Sequence, residues 1–429
     1  MDFIYQTIFS YSGGYNYLYV QVCKEFREMA PKKSRYAYLD QLLQDGGKPN
    51  LIPNKNMVEE ALDGNLFSLL EVCKDLIPPD LCFLAVSKRN LQLLQWARDR
   101  DYYWNPAIYN HPIQEHNLEM VKWLRADDCP WDEDACIVAV NANHLEILQW
   151  LRENGCPWNE RVCSEAARNG NLEMLQWSRE NGCPWDEETC ALAAEEGYLE
   201  ILQWAHGANC PWDEKTCAYA AERGHLDILK WARSQGCPWD ENTCSSAAFA
   251  GHLEVLQWAR SQGCPWDTKT CSYAAEKGYL EILQWARSQG CPWDESTCSD
   301  AAYAGHLEVL QWARANGCDW DQETCSSATE GGHLEILQWA RENGCDWDED
   351  TCAAAARGGH LHILEWVRAN GCPWNESTCT DTATSGHLEI LKWARAHDCP
   401  WDGETYFSAL YKDHLEIINW LNDNDCPRE

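Results

Sequence analysis

The spacing of apolar, small and polar residues predicts a helix in the stretch that follows Asp267. Cys271, Ala274, Ala275 and Gly278 lie at positions i, i+3, i+4 and i+7, which is one face of a helix. Asp267 is a favoured residue type at an N-cap, where its carboxylate accepts a hydrogen bond from a free backbone N–H group. We therefore predict a helix that begins after Asp267 and ends at Gly278.

A second helix is predicted from Tyr279 to Gly290, a residue type that suits the C′ position of a helix. Apolar residues cover more than half of its circumference, and they are Leu280, Ile282, Leu283, Trp285 and Ala286. A helix with so wide an apolar surface is expected to pack between neighbours on both sides. The two helices would form a hairpin closed by the turn Gly-Cys-Pro-Trp-Asp, with Trp266 at the seam between adjacent hairpins.

The same pattern recurs every 27 residues along most of the chain. All 25 tryptophans fall into two series with this step, one from Trp96 to Trp420 and the other from Trp104 to Trp401. A repeat of this length indicates stacked solenoid units, each of which buries its apolar faces against its neighbours. The sequence therefore predicts an all-α solenoid of about 14 helical hairpins.

The regularity of the repeat divides the chain into three parts. Residues 129–425 contain eleven regular units, and the last is expected to act as a C-terminal cap because it ends in polar residues. Residues 49–128 contain divergent units, and residues 1–48 do not follow the repeat. Within the divergent part, Pro112 falls inside a first helix, where proline removes a hydrogen bond and kinks the chain.

The chain is strongly acidic, with a formal net charge of −34. Such a surface repels phosphate backbones and anionic lipids, so we expect neither nucleic acid nor membrane as a partner. A partner with a basic surface is favoured electrostatically, while the alternative is that the charge only keeps a long molecule soluble. We find no signal peptide at the start, and no apolar stretch approaches the roughly 20 residues of a membrane helix. We expect a monomer.

The 25 cysteines are odd in number, and nearly all recur at fixed positions of the repeat. This pattern argues against disulfides and predicts reduced thiols in the cytoplasm or nucleus. Zinc is a competing reading of Cys264, Cys271 and the nearby His252, but these cysteines are seven residues apart, and Cys271 lies on the predicted buried face. Core packing of small thiols explains them better, and we expect no metal and no cofactor.

Eight of the 13 histidines occupy one slot of the repeat, including His225 and His252, while Asn171 and Tyr198 fill it elsewhere. A general base cannot be exchanged for asparagine or tyrosine, so this slot predicts turn geometry or hydrogen bonding. No nucleophile elbow, phosphate-binding glycine loop or convergent carboxylate pair breaks the repeat pattern. We therefore expect no enzymatic activity.

The segment Ala-Ala-x-x-Gly-His-Leu-Glu-Val-Leu at residues 247–256 resembles the helix pair of ankyrin repeats. The unit is shorter than the 33 residues of an ankyrin repeat, and the missing part is the β-hairpin finger. The ankyrin Thr-Pro-Leu-His signature is also reduced to Thr-Cys. A shortened unit rich in Gly-Cys-Pro-Trp looks like the ankyrin-type repeats of stramenopiles and giant viruses. The resemblance implies an ankyrin-like solenoid without fingers that binds other proteins.

Residues 1–48 also show a resemblance, to a shortened F-box, the helical motif that docks onto the adaptor of a cullin ubiquitin ligase. The pattern ends in Val-Cys-Lys-Glu-Phe-Arg at residues 22–27, and the usual Leu-Pro opening is absent. The residues that would contact the adaptor are Ile4, Ile8, Phe9, Tyr19, Val22 and Phe26. The alternative is that this segment is an N-terminal helical cap for the solenoid.

Positions that vary between repeats are expected to carry binding specificity. Counting from the N-cap as zero, positions two, six and nine of the first helix lie opposite the core positions four, seven, eight and eleven. In the middle repeats these positions hold one aromatic residue per unit with charged neighbours. They predict a partner-binding patch formed by Tyr219, Phe249, Tyr273 and Tyr303, with Lys215, Lys269, Glu222 and Glu276. The alternative is that isolated surface aromatics only pack against the next helix.

The sequence thus favours a non-enzymatic scaffold that binds a partner protein along the face lined by first helices. The alternative function is a substrate receptor of a cullin-type ubiquitin ligase, which would recruit the adaptor through residues 1–48. The sequence names neither the partner nor the pathway.

Overall fold

The computed structural model describes residues 15–19, 21 and 34–428. Every regular element in these residues is a helix, and no strand occurs among them. The described chain is therefore an all-α solenoid of helical hairpins, which confirms the predicted fold class.

The chain forms two compact units. One contains the described residues up to Glu165 together with Gln176–Cys183, and the other contains Ala166–Leu175 and the chain from Pro184 onward. The α-helices before the boundary are Asn16–Tyr19, Arg35–Gln44, Lys55–Gly64, Phe67–Val72, Leu81–Ser87, Leu91–Arg98, Asn110–Gln114, Leu118–Ala126, Asp134–Asn141 and Leu145–Glu153. Short 3₁₀ helices occur at Lys74–Leu76 and Pro106–Tyr109.

Helices Arg161–Arg168 and Leu172–Glu180 contain residues of both units. The second unit continues as nine hairpins, each with a first and a second helix. Its first helices are Glu187–Glu195, Glu214–Glu222, Glu241–Phe249, Thr268–Glu276, Ser296–Tyr303, Gln322–Glu330, Glu349–Arg357, Glu376–Ser385 and Gly403–Tyr411. Its second helices are Leu199–Gly207, Leu226–Ser234, Leu253–Ser261, Leu280–Ser288, Leu307–Ala315, Leu334–Glu342, Leu361–Ala369, Leu388–Ala396 and Leu415–Asp423.

The local signals that the sequence carries set the helix ends. The Asp267 carboxylate accepts a hydrogen bond from the backbone N–H of Lys269 at 3.1 Å, and Gly278 follows the helix with φ +76°. The second helix begins at Leu280, one residue later than predicted, because Tyr279 is its N-cap. At its end Gly290 has φ +83°, and Cys291 N–H donates to the Ala286 carbonyl at 3.0 Å. This bond is characteristic of a Schellman motif, which satisfies carbonyls at the helix end.

The core follows the predicted faces of both helices. Cys271, Ala274 and Ala275 are completely buried on the first helix, as are Leu283 and Ala286 on the second. Small side chains on the first helices allow adjacent first helices to pack closely along the array. The two tryptophans of the unit, Trp266 and Trp285, are only half-buried and therefore lie at the edge of this core.

Three features of the ends were only partly visible in the sequence. The first helix that contains Pro112 is divided into the 3₁₀ turn Pro106–Tyr109 and the helix Asn110–Gln114. The divergent units have second helices Phe67–Val72 and Leu91–Arg98. The last hairpin is less polar than its predicted capping role suggests, since Tyr411 is 85% exposed and Leu415 is 64% exposed.

Candidate functional site

The predicted patch lies on four consecutive first helices of the second unit. Tyr219, Phe249 and Tyr273 are half-buried, whereas Tyr303 is 52% exposed. All four side chains lie on the side of the helix away from the buried cysteine and alanines. Their partial exposure suits contact with a partner, and their partial burial means that they also pack against neighbouring repeats.

The structure brings two of the four aromatic residues into direct contact. The rings of Phe249 and Tyr273 meet edge to face, with centroids 5.4 Å apart and planes at 71°. Lys277 places its Nζ 4.2 Å from the centre of the Phe249 ring and 2.9 Å from a carboxylate oxygen of Glu276. An aromatic pair and a cation over a ring are each worth about 0.5–1.5 kcal/mol. These residues therefore form one preorganised cluster.

Tyr219 and Tyr303 flank this cluster, and no ring contact joins either of them to it in the described part of the chain. Lys215 pairs with Glu188 at 3.6 Å, an exposed contact of the kind that contributes little to stability. The remaining predicted charges, Lys269, Glu222 and Glu276, lie on the same helices. The structure thus groups part of the predicted patch tightly and leaves the rest around its edge.

Two residues beside the cluster were not assigned to the patch from the sequence. Lys277 was outside the positions considered, although a lysine one residue after Glu276 could have been noticed. Asp300 occupies position six of the next unit and is half-buried between helices. Burial, together with the nearby carboxylates of Glu276, Glu323 and Asp294, raises the pKa of its carboxyl to about 6, while the Ser272 hydroxyl opposes the shift.

The recurring histidine makes a hydrogen bond to the preceding repeat, as its slot in the sequence predicted. His225 Nε2 lies 3.1 Å from the Glu195 carbonyl oxygen, and because a carbonyl can only accept, the ring nitrogen must donate. The same ring lies so close to Gly197 that a Cβ there would overlap it. The histidine therefore joins adjacent hairpins.

The recurring cysteines are buried and free of disulfides throughout the described residues. The Cys264 thiol donates to the Asp240 carbonyl oxygen at 3.4 Å, which joins one turn to the N-cap of the preceding unit. The Cys244 thiol faces the Cys264 sulfur, and its hydrogen bond to that sulfur, together with burial, raises the pKa of Cys244. No group of three or more metal-ligating side chains is assembled in the part of the chain that the structure describes.

The tryptophans form a second surface, at the turns and second helices. The Arg260 guanidinium lies 3.9 Å from the ring centre of Trp266, and that ring meets Trp285 edge to face at 6.0 Å. Arg260 also donates to the Cys264 carbonyl oxygen. Equivalent arginines of the second unit that stack on a turn tryptophan are Arg233, Arg287, Arg314, Arg341, Arg368 and Arg395.

The predicted adaptor-docking residues cannot be placed in the same way. Ile4, Ile8, Phe9, Val22 and Phe26 lie outside the described residues, and Tyr19 is described only as the last residue of a short helix. Further along, helix Arg35–Gln44 contacts the first repeat.

The contact between that helix and the first repeat is a capping hydrogen bond. A carboxylate oxygen of Asp40 accepts from the Leu69 backbone N–H at 2.8 Å. This bond caps helix Phe67–Val72, whose own N-cap residue Leu66 has no side chain that could do so. The bond therefore fastens helix Arg35–Gln44 to the first repeat.

The hairpins, their caps and their buried small residues define a helical-repeat protein, and a short part of the chain matches a known repeat family. A family model described as ankyrin repeats (many copies) matches residues 134–177. No curated protein matches the sequence. No helix among the described residues is both long enough and apolar enough to cross a membrane.

Two solved structures are among those that match this chain. The human ASB11 ankyrin repeat domain is 18% identical with a TM-score of 0.31, over 37% of this chain and 84% of that one. The pentatricopeptide repeat protein PPR10, solved with an 18-nucleotide psaJ RNA element, is 14% identical with a TM-score of 0.37. That match covers 92% of this chain, which spans 64% of the length of PPR10.

Proposed function

We propose that this chain is a non-enzymatic interaction scaffold that binds a partner protein along the face lined by first helices. The observation that carries this proposal is the cluster of Phe249, Tyr273 and Lys277 on that face. The surrounding repeats hold nearly constant residues at their buried positions, whereas this face changes from unit to unit. The match of residues 134–177 to ankyrin repeats supports the same conclusion, since such repeats commonly bind proteins.

The composition of the patch suits protein recognition. Aromatic side chains surrounded by charged groups are enriched at the centres of protein interfaces, where truncating one hot-spot residue typically costs about 2 kcal/mol or more. The Phe249–Tyr273 contact holds both rings in place before binding, so less side-chain entropy is lost when a partner arrives. Tyr303 supplies exposed aromatic surface beside them.

The test uses a partner obtained from an unbiased interaction screen with the full chain. We expect the variant with alanine at Tyr219, Phe249, Tyr273 and Tyr303 to bind it at least tenfold more weakly in calorimetry. The matched control places alanine on exposed second-helix positions Glu254, Gln257 and Glu281. If the control loses binding while the aromatic variant keeps it, the partner surface lies on the second helices and the proposal is wrong.

The melting temperature of the aromatic variant separates binding from folding. Because three of the four rings are half-buried, we expect a small decrease and a retained cooperative transition. Unfolding of the variant would instead show that these rings serve the packing between repeats.

The alternative of a ubiquitin-ligase substrate receptor rests on residues 1–48. Deleting them should abolish association with a cullin adaptor and leave partner binding at the first helices unchanged, if the F-box resemblance reflects function. A deletion that only lowers the melting temperature would support the capping role to which the Asp40–Leu69 hydrogen bond points.

A further inference from the structure

A cleft of about 400 Å³ lies on the first-helix face beyond the aromatic patch, between helices Gln322–Glu330 and Glu349–Arg357. It exists because position six is small in two consecutive repeats, where Ser327 and Ala354 occupy it. Other repeats have a larger side chain at this position, such as Tyr273 or Asp300. The missing side-chain volume leaves an open space between two adjacent first helices.

The cleft is lined mainly by carboxylates. Its acidic residues are Asp321, Glu323, Glu330, Asp348 and Asp350, and its only cationic residue is Arg357. Converging negative charges attract a cation more strongly in a cleft than on a flat surface, because the low-dielectric walls focus the field. The cleft is therefore complementary to a positively charged side chain.

Arg357 shows how a guanidinium is held on this face. One Nη atom lies 2.8 Å from a carboxylate oxygen of Glu330 in the preceding repeat, and the other lies 2.7 Å from Asp381 in the following repeat. A planar guanidinium can reach two carboxylates in this way, whereas an ammonium group acts as a single point charge. The carboxylates of neighbouring repeats are thus spaced so that one guanidinium group can reach two of them. The exposed carboxylates Glu323 and Asp350 on the cleft have no ion pair with a described residue.

The cleft is continuous with the aromatic patch. Gly331 packs so closely on the preceding repeat that a Cβ there would overlap the Tyr303 carbonyl oxygen. Glu330, which lines the cleft, therefore lies directly beside the helix end that carries Tyr303. A partner segment that covers Tyr303 would extend over the cleft without leaving the first-helix face.

We propose that this cleft receives an arginine side chain from the same partner segment whose apolar side chain packs on the aromatic patch. The proposal rests on the function proposed above, since it requires the first-helix face to be the partner surface. Adjacent helices pack about 8–10 Å apart, and an extended chain advances about 3.3 Å per residue. An arginine in the cleft should therefore lie about four or five positions from an apolar residue at Tyr303.

The test uses a displayed library of random 12-residue peptides selected on the full-length protein. We expect the selected peptides to carry an arginine four or five residues from an aliphatic or aromatic residue. Replacing that arginine by citrulline, which has nearly the same shape and no charge, should weaken binding at least tenfold in fluorescence anisotropy. Binding should also weaken steeply with added salt.

Protein variants test the location. Glu323→Gln combined with Asp350→Asn should weaken the selected peptides at least tenfold and leave the citrulline peptides unchanged. Ser327→Arg, which places a cation in the cleft from within the chain, should have the same effect. The matched control is Glu308→Gln combined with Glu335→Gln, two exposed carboxylates on second helices, and it should change affinity less than twofold.

The outcomes separate the two proposals. Selected peptides could bind Phe249→Ala and Tyr273→Ala more weakly and yet lack arginine or bind the cleft variants with unchanged affinity. That result would contradict the arginine site and leave the proposed partner surface standing. If the affinity of the peptides is unchanged in both the cleft and the aromatic variants, the proposed function is wrong as well. Sensitivity to both sets, with no response to the control, supports both proposals.

Discussion

At the residue scale, the turn tryptophan connects three parts of the fold. Trp266 receives the Arg260 guanidinium of the preceding second helix on its face and meets Trp285 of the following second helix at its edge. A guanidinium over an indole ring and an edge-to-face indole pair are each worth about 0.5–2 kcal/mol. The side chain stabilises the array through these contacts while remaining partly exposed.

We expect Trp266→Ala to lower the free energy of unfolding by about 2–3 kcal/mol, below the range for a fully buried tryptophan. Glu281→Ala, on the exposed side of the next helix, should change it by less than about 0.5 kcal/mol. Denaturant unfolding of both variants provides the comparison. Equal losses of stability would contradict the assignment of the Arg–Trp–Trp contacts.

Asp300 should make the stability of the folded chain depend on pH. Burial raises the pKa of its carboxyl to about 6 in the folded chain, against an ordinary value of 3.8. The folded state therefore holds this proton more tightly than the unfolded state, and its contribution to stability is lost as the pH rises from about 4 through 6.

Asp300→Asn keeps the side chain neutral at every pH. We expect its melting temperature to exceed that of the natural chain most above pH 6, with the difference shrinking toward pH 4. Asp319→Asn, at an exposed turn position, is the control and should show no such trend. If the difference in melting temperature between the Asp300 variant and the natural chain does not vary with pH, the raised pKa of Asp300 is not its cause.

At the element scale, the helix ends are set by local capping interactions that recur in each repeat. Aspartates cap the first helices, left-handed glycines end both helices in most repeats, and histidines join one hairpin to the preceding repeat. Such short helices are marginal alone, and most of their stability comes from packing in the array. An element with a broken hydrogen-bond ladder should therefore open first.

The segment around Pro112 is that element. Its first helix is divided between Pro106–Tyr109 and Asn110–Gln114, and Pro112 can donate no hydrogen bond. Since Tyr109 and Ile113 are fully buried, cleavage requires local opening of this segment. Limited proteolysis read by mass spectrometry should cut first within residues 105–116. First cuts spread over residues 129–425 would show that the proline is not a weak point.

At the scale of the whole molecule, the repeats bury their cysteines systematically. All 24 described cysteines are buried, and none of them forms a disulfide. Burial raises the pKa of Cys82 to about 11 and that of Cys129 to about 12, which keeps these thiols protonated and unreactive at neutral pH. Thiol reactivity therefore reports whether the stack as a whole is closed.

We expect a Cys23→Ser variant, which removes the one cysteine outside the described residues, to react with Ellman's reagent at pH 8 at less than one thiol per chain while native. All the remaining thiols should react after unfolding in guanidinium chloride. Rapid reaction of several thiols in the native protein would contradict the buried arrangement of the repeat cysteines.

The sequence alone determined the elements of this protein, because the 27-residue period, the aspartate caps and the glycine ends act within a few residues of one another. It also determined the buried positions, since Cys271, Ala274 and Ala275 share a helix face by spacing alone. Those signals do not depend on contacts with the neighbouring repeat.

Only the tertiary structure decided which side chains of different repeats meet. The Asp40 cap on Leu69, the burial of Asp300 and the cleft left by Ser327 and Ala354 each depend on the distance and rotation between packed helices. That geometry arises from how whole side chains fill the space between hairpins, and residue spacing along the chain does not encode it. The candidate surface was therefore predictable as a face, whereas the Phe249–Tyr273 contact required the packed array.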